Sequence, residues 1–590
     1  MRRLLLIGLA VLAGSAYLLA GTDADHTLVF TAEQAAAGKI EIQKNSFGAC
    51  TDCHATGLTR RAGDPRELPP LASLSDDYQK LIKGNGGIVP PFVGADFVAK
   101  WGRRTTQDLL KEFDDRFRSL TLDTRLNLIA YILQRNGAKA GPSPLTAETD
   151  VTIADLLVQA QQPRFTVITG ATLIGLARPA IRDAVLVIDG SRIAQVGARG
   201  AVRVPADAVV VDAQGKYVIP GLADMHHHLS SGAFGPNNPR LTLRRMLAVG
   251  VTTIFDPSIP LQDFTALKTA AADDASPLAR FFSTGPIVTV KGDDFGANVN
   301  GPTPETPAEA TAAVRDLKAA GVDAIKIQRD DLSWALKPAR SIMKEDVLRA
   351  IVDEAHRDGL KVFVHAPLLR FAKEALRAGV DGLMHGIVDE PLDKDFVTLM
   401  KRNRAVYVST MALYEDVGDV AAWARREGVN WDKANLQPPR LYEQFTNPAG
   451  VAQFTTFINN GEYTKQRLPL QRTNLKRAFD AGIPIVLGTD TGFFGVLVGA
   501  ATQIELELLI EAGLKPEDAL RAATVNAAKM IGREKDFGTL EAGKAADLVI
   551  LDADPRVDIK NVTRINRTYK GGVAYDPVDP ARPLRGRGPR

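Results

Sequence analysis

Eight short runs rich in β-branched, apolar residues recur between Asp224 and Asp490, and helical patterns separate them. They span residues 224–228, 252–256, 281–284, 324–327, 362–365, 382–385, 406–410 and 485–490. Parallel strands need a crossover between neighbours, so eight strand-then-helix repeats predict an α/β domain built as a (β/α)8 TIM-like barrel. In such a barrel the chemistry gathers at the C-terminal ends of the strands.

Those ends carry an unusual set of side chains. The first run closes with Met225-His226-His227-His228, and residues two apart on a strand share a face. His226 and His228 can therefore grip one ion while His227 faces the other way. Alone, the triplet fits a chance histidine run in a packed strand equally well. His365 ends the fifth run, His385 the sixth and Asp490 the eighth. Lys326 lies in the fourth run between Ile325 and Ile327, which face away from it, so its ammonium points inward, where an unpaired charge is costly. Each group singly has an ordinary reading: a satisfied core histidine, a lysine reaching out to water, a capping aspartate. The set resists that reading, because four of the chain's eight histidines join one lysine and one aspartate at the same end of the predicted barrel.

Strand signals also flank the barrel. Thr166–Thr169, Asp183–Ile188, Arg192–Val196 and Val209–Val211 precede it, and Ala546–Leu551 and Gly571–Tyr575 follow it. They predict a small antiparallel sandwich, residues 164–220 and 537–576, split by the barrel of residues 221–536.

From Phe165 to Tyr575 the chain resembles the amidohydrolase superfamily. Besides the strand-end groups, the resemblance is carried by Ala512-Gly-Leu-Lys-Pro-Glu-Asp-Ala-Leu-Arg-Ala-Ala-Thr524, Asn526-Ala-Ala528 and Gly538-Thr-Leu-Glu-Ala-Gly-Lys-Ala-Ala-Asp-Leu-Val549, as in its imidazolonase, prolidase and dihydroorotase-like branches. It implies two divalent ions, one held by His226, His228 and Asp490, the other by His365 and His385, with carboxylated Lys326 bridging them. Carboxylation would turn an awkward buried cation into an anionic ligand. Nitrogen and oxygen donors favour zinc, with manganese, cobalt or iron as alternatives. The implied chemistry is hydrolysis of an amide, peptide or cyclic amide by a water that the two ions acidify, with Asp490 as the catalytic proton carrier. Loops 291–298, 329–331 and 414–463 follow the third, fourth and seventh runs and are where a small-molecule substrate would be selected.

The N-terminal part has a different character. Arg2 and Arg3 precede an apolar run, residues 4–20, which reads as an export signal over residues 1–21, either cleaved near Ala20 or kept as an anchor. The only two cysteines stand in Cys50-Thr51-Asp52-Cys53-His54, the spacing that thioether-links a haem through both thiols and places His54 on the iron. A redox dithiol does not need the following histidine, and no second cysteine pair exists to complete a zinc site. Residues 34–39 read as a helix, residues 90–94 with Phe97 and Trp101 as an apolar haem cover, and residues 120–136 as a helix with Leu122, Leu126, Ile129 and Leu133 on one face. Residues 30–141 thus resemble a small all-α cytochrome c domain of class I type. Such domains supply a methionine as sixth ligand, but none stands between Met1 and Met225, which leaves that position empty or to Lys80, Lys83, Lys100 or His26. Residues 142–163 read as a connector and 577–590 as a basic tail.

With 590 residues the chain exceeds one core, and a net charge of +3 gives no argument for nucleic acid. A covalent haem behind an export signal implies a periplasmic protein, with an electron-transfer partner if the haem cycles. Two alternatives stay open beside the hydrolase: a redox sensor that uses the barrel as scaffold, and a metal-dependent redox enzyme that uses the haem as electron acceptor.

Overall fold

Leu126, Ile129 and Leu133 lie on the buried face of a helix, Leu122–Arg135, in the computed structural model. Leu122, expected beside them, is exposed in the first turn. The structure describes residues 30–43, 92, 97, 101–102, 104–116, 120–138, 140, 143–151, 153–156, 165–230, 239–272, 274, 276–292, 301–427, 448–492, 496–575 and 577. The chain forms two units, residues 1–161 and 162–590.

In the first unit the helix Ala32–Gln43 crosses Leu122–Arg135 closely at Gly38, where a Cβ would collide with the Asn127 carbonyl. Phe97, Trp101, Leu109, Phe113, Leu126 and Ile129 share its core. Part of the stretch expected as connector belongs to that core. Leu145, Ile153 and Leu156 are buried in it, and the Gln34 amide exchanges two hydrogen bonds with the Leu145 backbone at 2.7 and 2.9 Å. The stretch reads as a connector on its proline, threonine and alanine content despite the short apolar patch at residues 153–158, yet these three side chains bury more surface packed than extended.

The second unit begins with β1 Phe165–Leu173, β2 Ile181–Asp189, β3 Arg192–Ala198, β4 Val209–Asp212 and β5 Tyr217–Pro220. Eight strands follow, all parallel to their neighbours: β6 Leu222–Asp224, β7 Val251–Asp256, β8 Arg280–Ser283, β9 Ile325–Gln328, β10 Val362–His365, β11 Gly382–Leu383, β12 Val406–Val408 and β13 Ile485–Val486. The chain returns with β14 Leu548–Leu551, β15 Ile565–Lys570 and β16 Val573–Tyr575.

The flanking strands join one eight-stranded sheet, ordered β16-β15-β14-β5-β1-β2-β3 with β4 also on β1. β14 pairs with β5, Leu548 opposite Pro220 and Leu551 opposite Tyr217, so strands from both ends of the unit meet. The expected antiparallel arrangement needs correction: β1 runs parallel to both β4 and β5, and the sheet is mixed. β-branched residues announce a strand but not the direction of its partner.

The eight parallel strands form a three-stranded sheet, β6-β7-β8, and a five-stranded one, β13-β12-β11-β10-β9. Every residue of β7 and β9 is buried, as in strands covered on both faces. Backbone bonds link the two sheets on both sides. Val288 N donates to Lys326 O at 2.9 Å, and Gln328 N to Val288 O at 3.1 Å. On the other side Met225 N reaches Leu487 O at 3.0 Å, Asp490 N reaches His226 O at 2.7 Å and His228 N reaches Thr491 O at 2.6 Å. β6 and β13 end sooner than expected, at Asp224 and Val486, and the candidate ligand residues lie beyond them, where the backbone pairs through isolated bonds.

Candidate metal centre

Asp224, the last residue of β6, is fully buried and ties the two ligand-bearing segments together. Its carboxylate accepts from His226 N at 3.3 Å, Thr489 N at 3.1 Å, Thr489 Oγ1 at 2.8 Å and Thr502 Oγ1 at 3.0 Å. Burial outweighs these bonds and pushes its pKa up to about 6. Thr489 precedes Asp490, so the bonds set both His226 and Asp490. Asp490 adopts a left-handed backbone, φ 63°, a strained choice for a side chain and typical of functional positions.

Around Asp490 the predicted ligands converge. Its Oδ1 lies 2.9 Å from His228 Nε2 and 3.4 Å from His226 Nε2. The His226 ring centre is 5.2 Å from that of His228 and 4.7 Å from that of His385, which is 4.3 Å from His365. One donor atom each from His226, His385 and Asp490 lies within 4.8 Å of the others, all three residues buried. His226 therefore sits close to a histidine expected on the other ion.

The outer nitrogens are anchored. His226 Nδ1 donates to the Met384 carbonyl at 2.9 Å, which leaves Nε2 as its lone pair. His228 Nδ1 faces Asp256 Oδ1 at 3.7 Å, and His385 Nδ1 is 3.1 Å from Thr410 Oγ1. Burial pushes His226 and His385 well below the ordinary imidazole range, so both are neutral, as ligands must be. Burial also pulls His228 down, but the facing carboxylates of Asp256 and Asp490 win and raise it to about 10. Asp490 is pushed up by burial yet held below the usual carboxylate range by His226, His228 and Lys326. Lys326 is 2% exposed and makes no hydrogen bond or ion pair among the described residues. Burial lowers it to about 7 against the fields of Asp490 and Asp256.

His227 is fully buried, and neither ring nitrogen has a partner among the described residues. Sequence reasoning missed that Asp224, Asp256, Asp330 and Thr410 lie against the candidate ligands, Asp330 having been read only as part of the substrate loop 329–331. The available signal was that Asp256 and Thr410 end predicted strands, as the ligands do. Cys50, Cys53 and His54, the candidate sixth ligands His26, Lys80, Lys83 and Lys100, and the export signal lie outside the described residues. So do residues 293–298 and 428–447 of the substrate loops. The rest of segment 414–463 includes four helices or parts of them, Met411–Gly418, Val420–Glu427, Pro448–Phe457 and Gly461–Lys465, and the Tyr414 ring centre is buried 5.2 Å from that of Trp334. Among the described residues no helix is long and apolar enough to cross a membrane.

Residues 217–574 match the sequence profile of the amidohydrolase family. The chain belongs to that family. An uncharacterised protein of Mycobacterium bovis is 25% identical over 352 residues, 58% of this chain and 80% of its own. An imidazolonepropionase of Alkaliphilus metalliredigens is 21% identical over 407 residues, 63% of this chain and 85% of its own. A solved Xaa-Pro dipeptidase with methionine in its active site superposes with a TM-score of 0.57 at 23% identity, over 70% of this chain and 100% of its own, a likeness of fold. Family and buried His-His-Asp cluster together make this amidohydrolase a metal-dependent hydrolase of carbon–nitrogen bonds.

Proposed function

We propose that the chain hydrolyses an amide, a dipeptide or a cyclic amide at a centre of two divalent ions, in a closed (β/α)8 barrel flanked by a split β-sandwich. The observation that carries the reading is the convergence of four histidines on Asp490 and on each other, beside a buried lysine that makes no hydrogen bond or close ion pair among the described residues. His226, His228 and Asp490 would hold one ion, His365 and His385 the other, with carboxylated Lys326 between them. A lysine lowered to about 7 carries free amine at neutral pH, the form that takes up carbon dioxide. The backbone bonds across both seams support closure. The imidazole and carboxylate donors suit zinc.

When bound, the ions supply a Lewis acid and a water acidified to near neutral pH. The chain does the rest. His226 and Asp224 fix Asp490 through the backbone bonds described, and its carboxylate, ionised at neutral pH, can take the proton of the attacking water and hand it to the departing amine. Zinc analysis combined with turnover of dipeptides, N-acyl amino acids and lactams tests this. Asp490→Asn with metal retained is expected to lose on the order of 10²-fold or more in kcat. Unchanged turnover with both ions bound would overturn the assignment.

The first unit, on this reading, carries one haem c linked at Cys50 and Cys53 with His54 on the iron, in a protein exported to the periplasm. The motif spacing supports it, together with the aromatic core of Phe97, Trp101 and Phe113. A haem that survives denaturation in the full chain and disappears in Cys50→Ser is the expected result.

A further inference from the structure

Two of the four site histidines are hydrogen-bonded from behind through Nδ1, by the Met384 carbonyl and by Thr410, and His228 Nδ1 faces Asp256 Oδ1 at 3.7 Å. His365 is reversed: its Nε2 meets Asp330 Oδ2 at 3.0 Å. Asp330 lies beyond the end of β9 and is 1% exposed. Its position is set independently of the histidine, because Trp334 Nε1 donates to the same oxygen at 2.8 Å. The Trp334 ring stands 6.3 Å from that of His365 and 5.2 Å from that of Tyr414.

An ionised carboxylate only accepts hydrogen bonds, so the proton of a neutral His365 sits on Nε2 and Nδ1 is left as a bare lone pair. Asp330 Oδ1 is buried with no partner among the described residues. Packing does not explain such an oxygen, since leaving it unpaired is unfavourable. A carboxylate whose charge remains partly uncompensated makes the imidazole it holds a better donor to a cation.

We propose that Asp330 is a positioning residue: it holds the His365 ring by Nε2 and so makes Nδ1 the atom that His365 offers to the ion it shares with His385. The inference rests on His365 being a ligand, as proposed above. Asp330 acts through His365: its engaged oxygen, Oδ2, receives both the indole and the imidazole protons.

The test uses the full chain, zinc as the only probe, and the variants Asp330→Ala, Asp330→Asn, Trp334→Phe and His365→Gln. In the metal-free protein, nitrogen-15 spectra of labelled histidines are expected to show His365 as the Nε2–H tautomer, its signal assigned by its loss in His365→Gln. Asp330→Ala abolishes that preference and makes one of the two zinc ions about 10- to 100-fold easier to extract with a chelator. Asp330→Asn, whose carbonyl still accepts the proton, keeps the tautomer and weakens the ion less, while Trp334→Phe leaves the tautomer unchanged. Should Asp330→Ala fail to fold, Asp330→Asn is compared with wild type alone. The proposal falls if Asp330→Ala retains both the tautomer and wild-type zinc affinity, or if Asp330→Asn loses an ion as completely as His365→Gln. If His365→Gln keeps both ions, the two-ion reading fails instead, and the tautomer still reports on Asp330.

Discussion

Glu505 sits in the helix Ala500–Glu511, fully buried, and accepts from Met411 N at 2.9 Å and Ala412 N at 2.8 Å. These are the first amides of the helix Met411–Gly418, which follows Thr410 and so the anchor of His385. Burial dominates these bonds and raises Glu505 from 4.5 to about 7. A folded-state pKa above the unfolded one means that the folded chain keeps a proton the unfolded chain has lost. Stability from this group is therefore full below about pH 4.5, declines as pH rises towards 7 and is then lost. The shift corresponds to about 3 kcal/mol. Denaturant titrations at pH 5 and pH 8 should show Glu505→Gln losing less stability across that interval than wild type by up to this amount. Equal pH dependence would mean that Glu505 ionises freely in the fold. Neither Glu505 nor Asp224 was legible in the sequence as a buried carboxylate, because their partners, backbone amides and Thr489, come together only where distant segments meet.

At the scale of the element, the seam between β6 and β13 is the tightest constraint on the site. A Cβ on Gly488 would lie 2.6 Å from Val408 Cγ1, 2.7 Å from His226 Cβ and 3.0 Å from His226 N. Gly488→Ala must push apart the segments that carry His226, Asp490 and the end of β12. We expect a stability loss of roughly 1–3 kcal/mol, typical of overpacking, together with a larger proportional loss of zinc affinity. Thermal melting and chelator competition would check both, and a variant with wild-type zinc affinity would show that the seam gives way without moving His226. The strands themselves were largely legible: residues 362–365 were expected and β10 is Val362–His365. Three of the four runs that end in candidate ligands, 224–228, 382–385 and 485–490, were read past the strand ends, where pairing gives way to single backbone bonds. In β11 only Gly382 and Leu383 pair, and His385 stands beyond them.

For the whole molecule, the mixed sheet joins the chain's last strands to its flanking strands, so the second unit's stability is expected to depend on them. β14 covers the edge of β5, and Tyr569 and Tyr575 are buried behind it. A chain ended after Ala546 would lose β14, β15 and β16 and leave β5 as an unpaired edge, a recognised route to aggregation. We expect it to be insoluble, whereas residues 162–590 expressed alone should stay soluble and bind zinc as the full chain does. Sedimentation of the soluble fraction and its metal content distinguish the two. A soluble, metal-binding product from the shorter chain would show that the flank is dispensable.

By itself the sequence determined the strand-and-helix alternation, the residues at the strand ends and the membership of the amidohydrolase family, because each is written in local pattern: period, spacing and residue type. Only the tertiary structure decided which direction the flanking strands run, that Leu145, Ile153 and Leu156 belong to the first unit's core, and which carboxylates hold which histidines. Those facts depend on contacts between residues far apart in the chain. Asp330 and His365, 35 positions apart, acquire a common role only when β9 and β10 lie side by side.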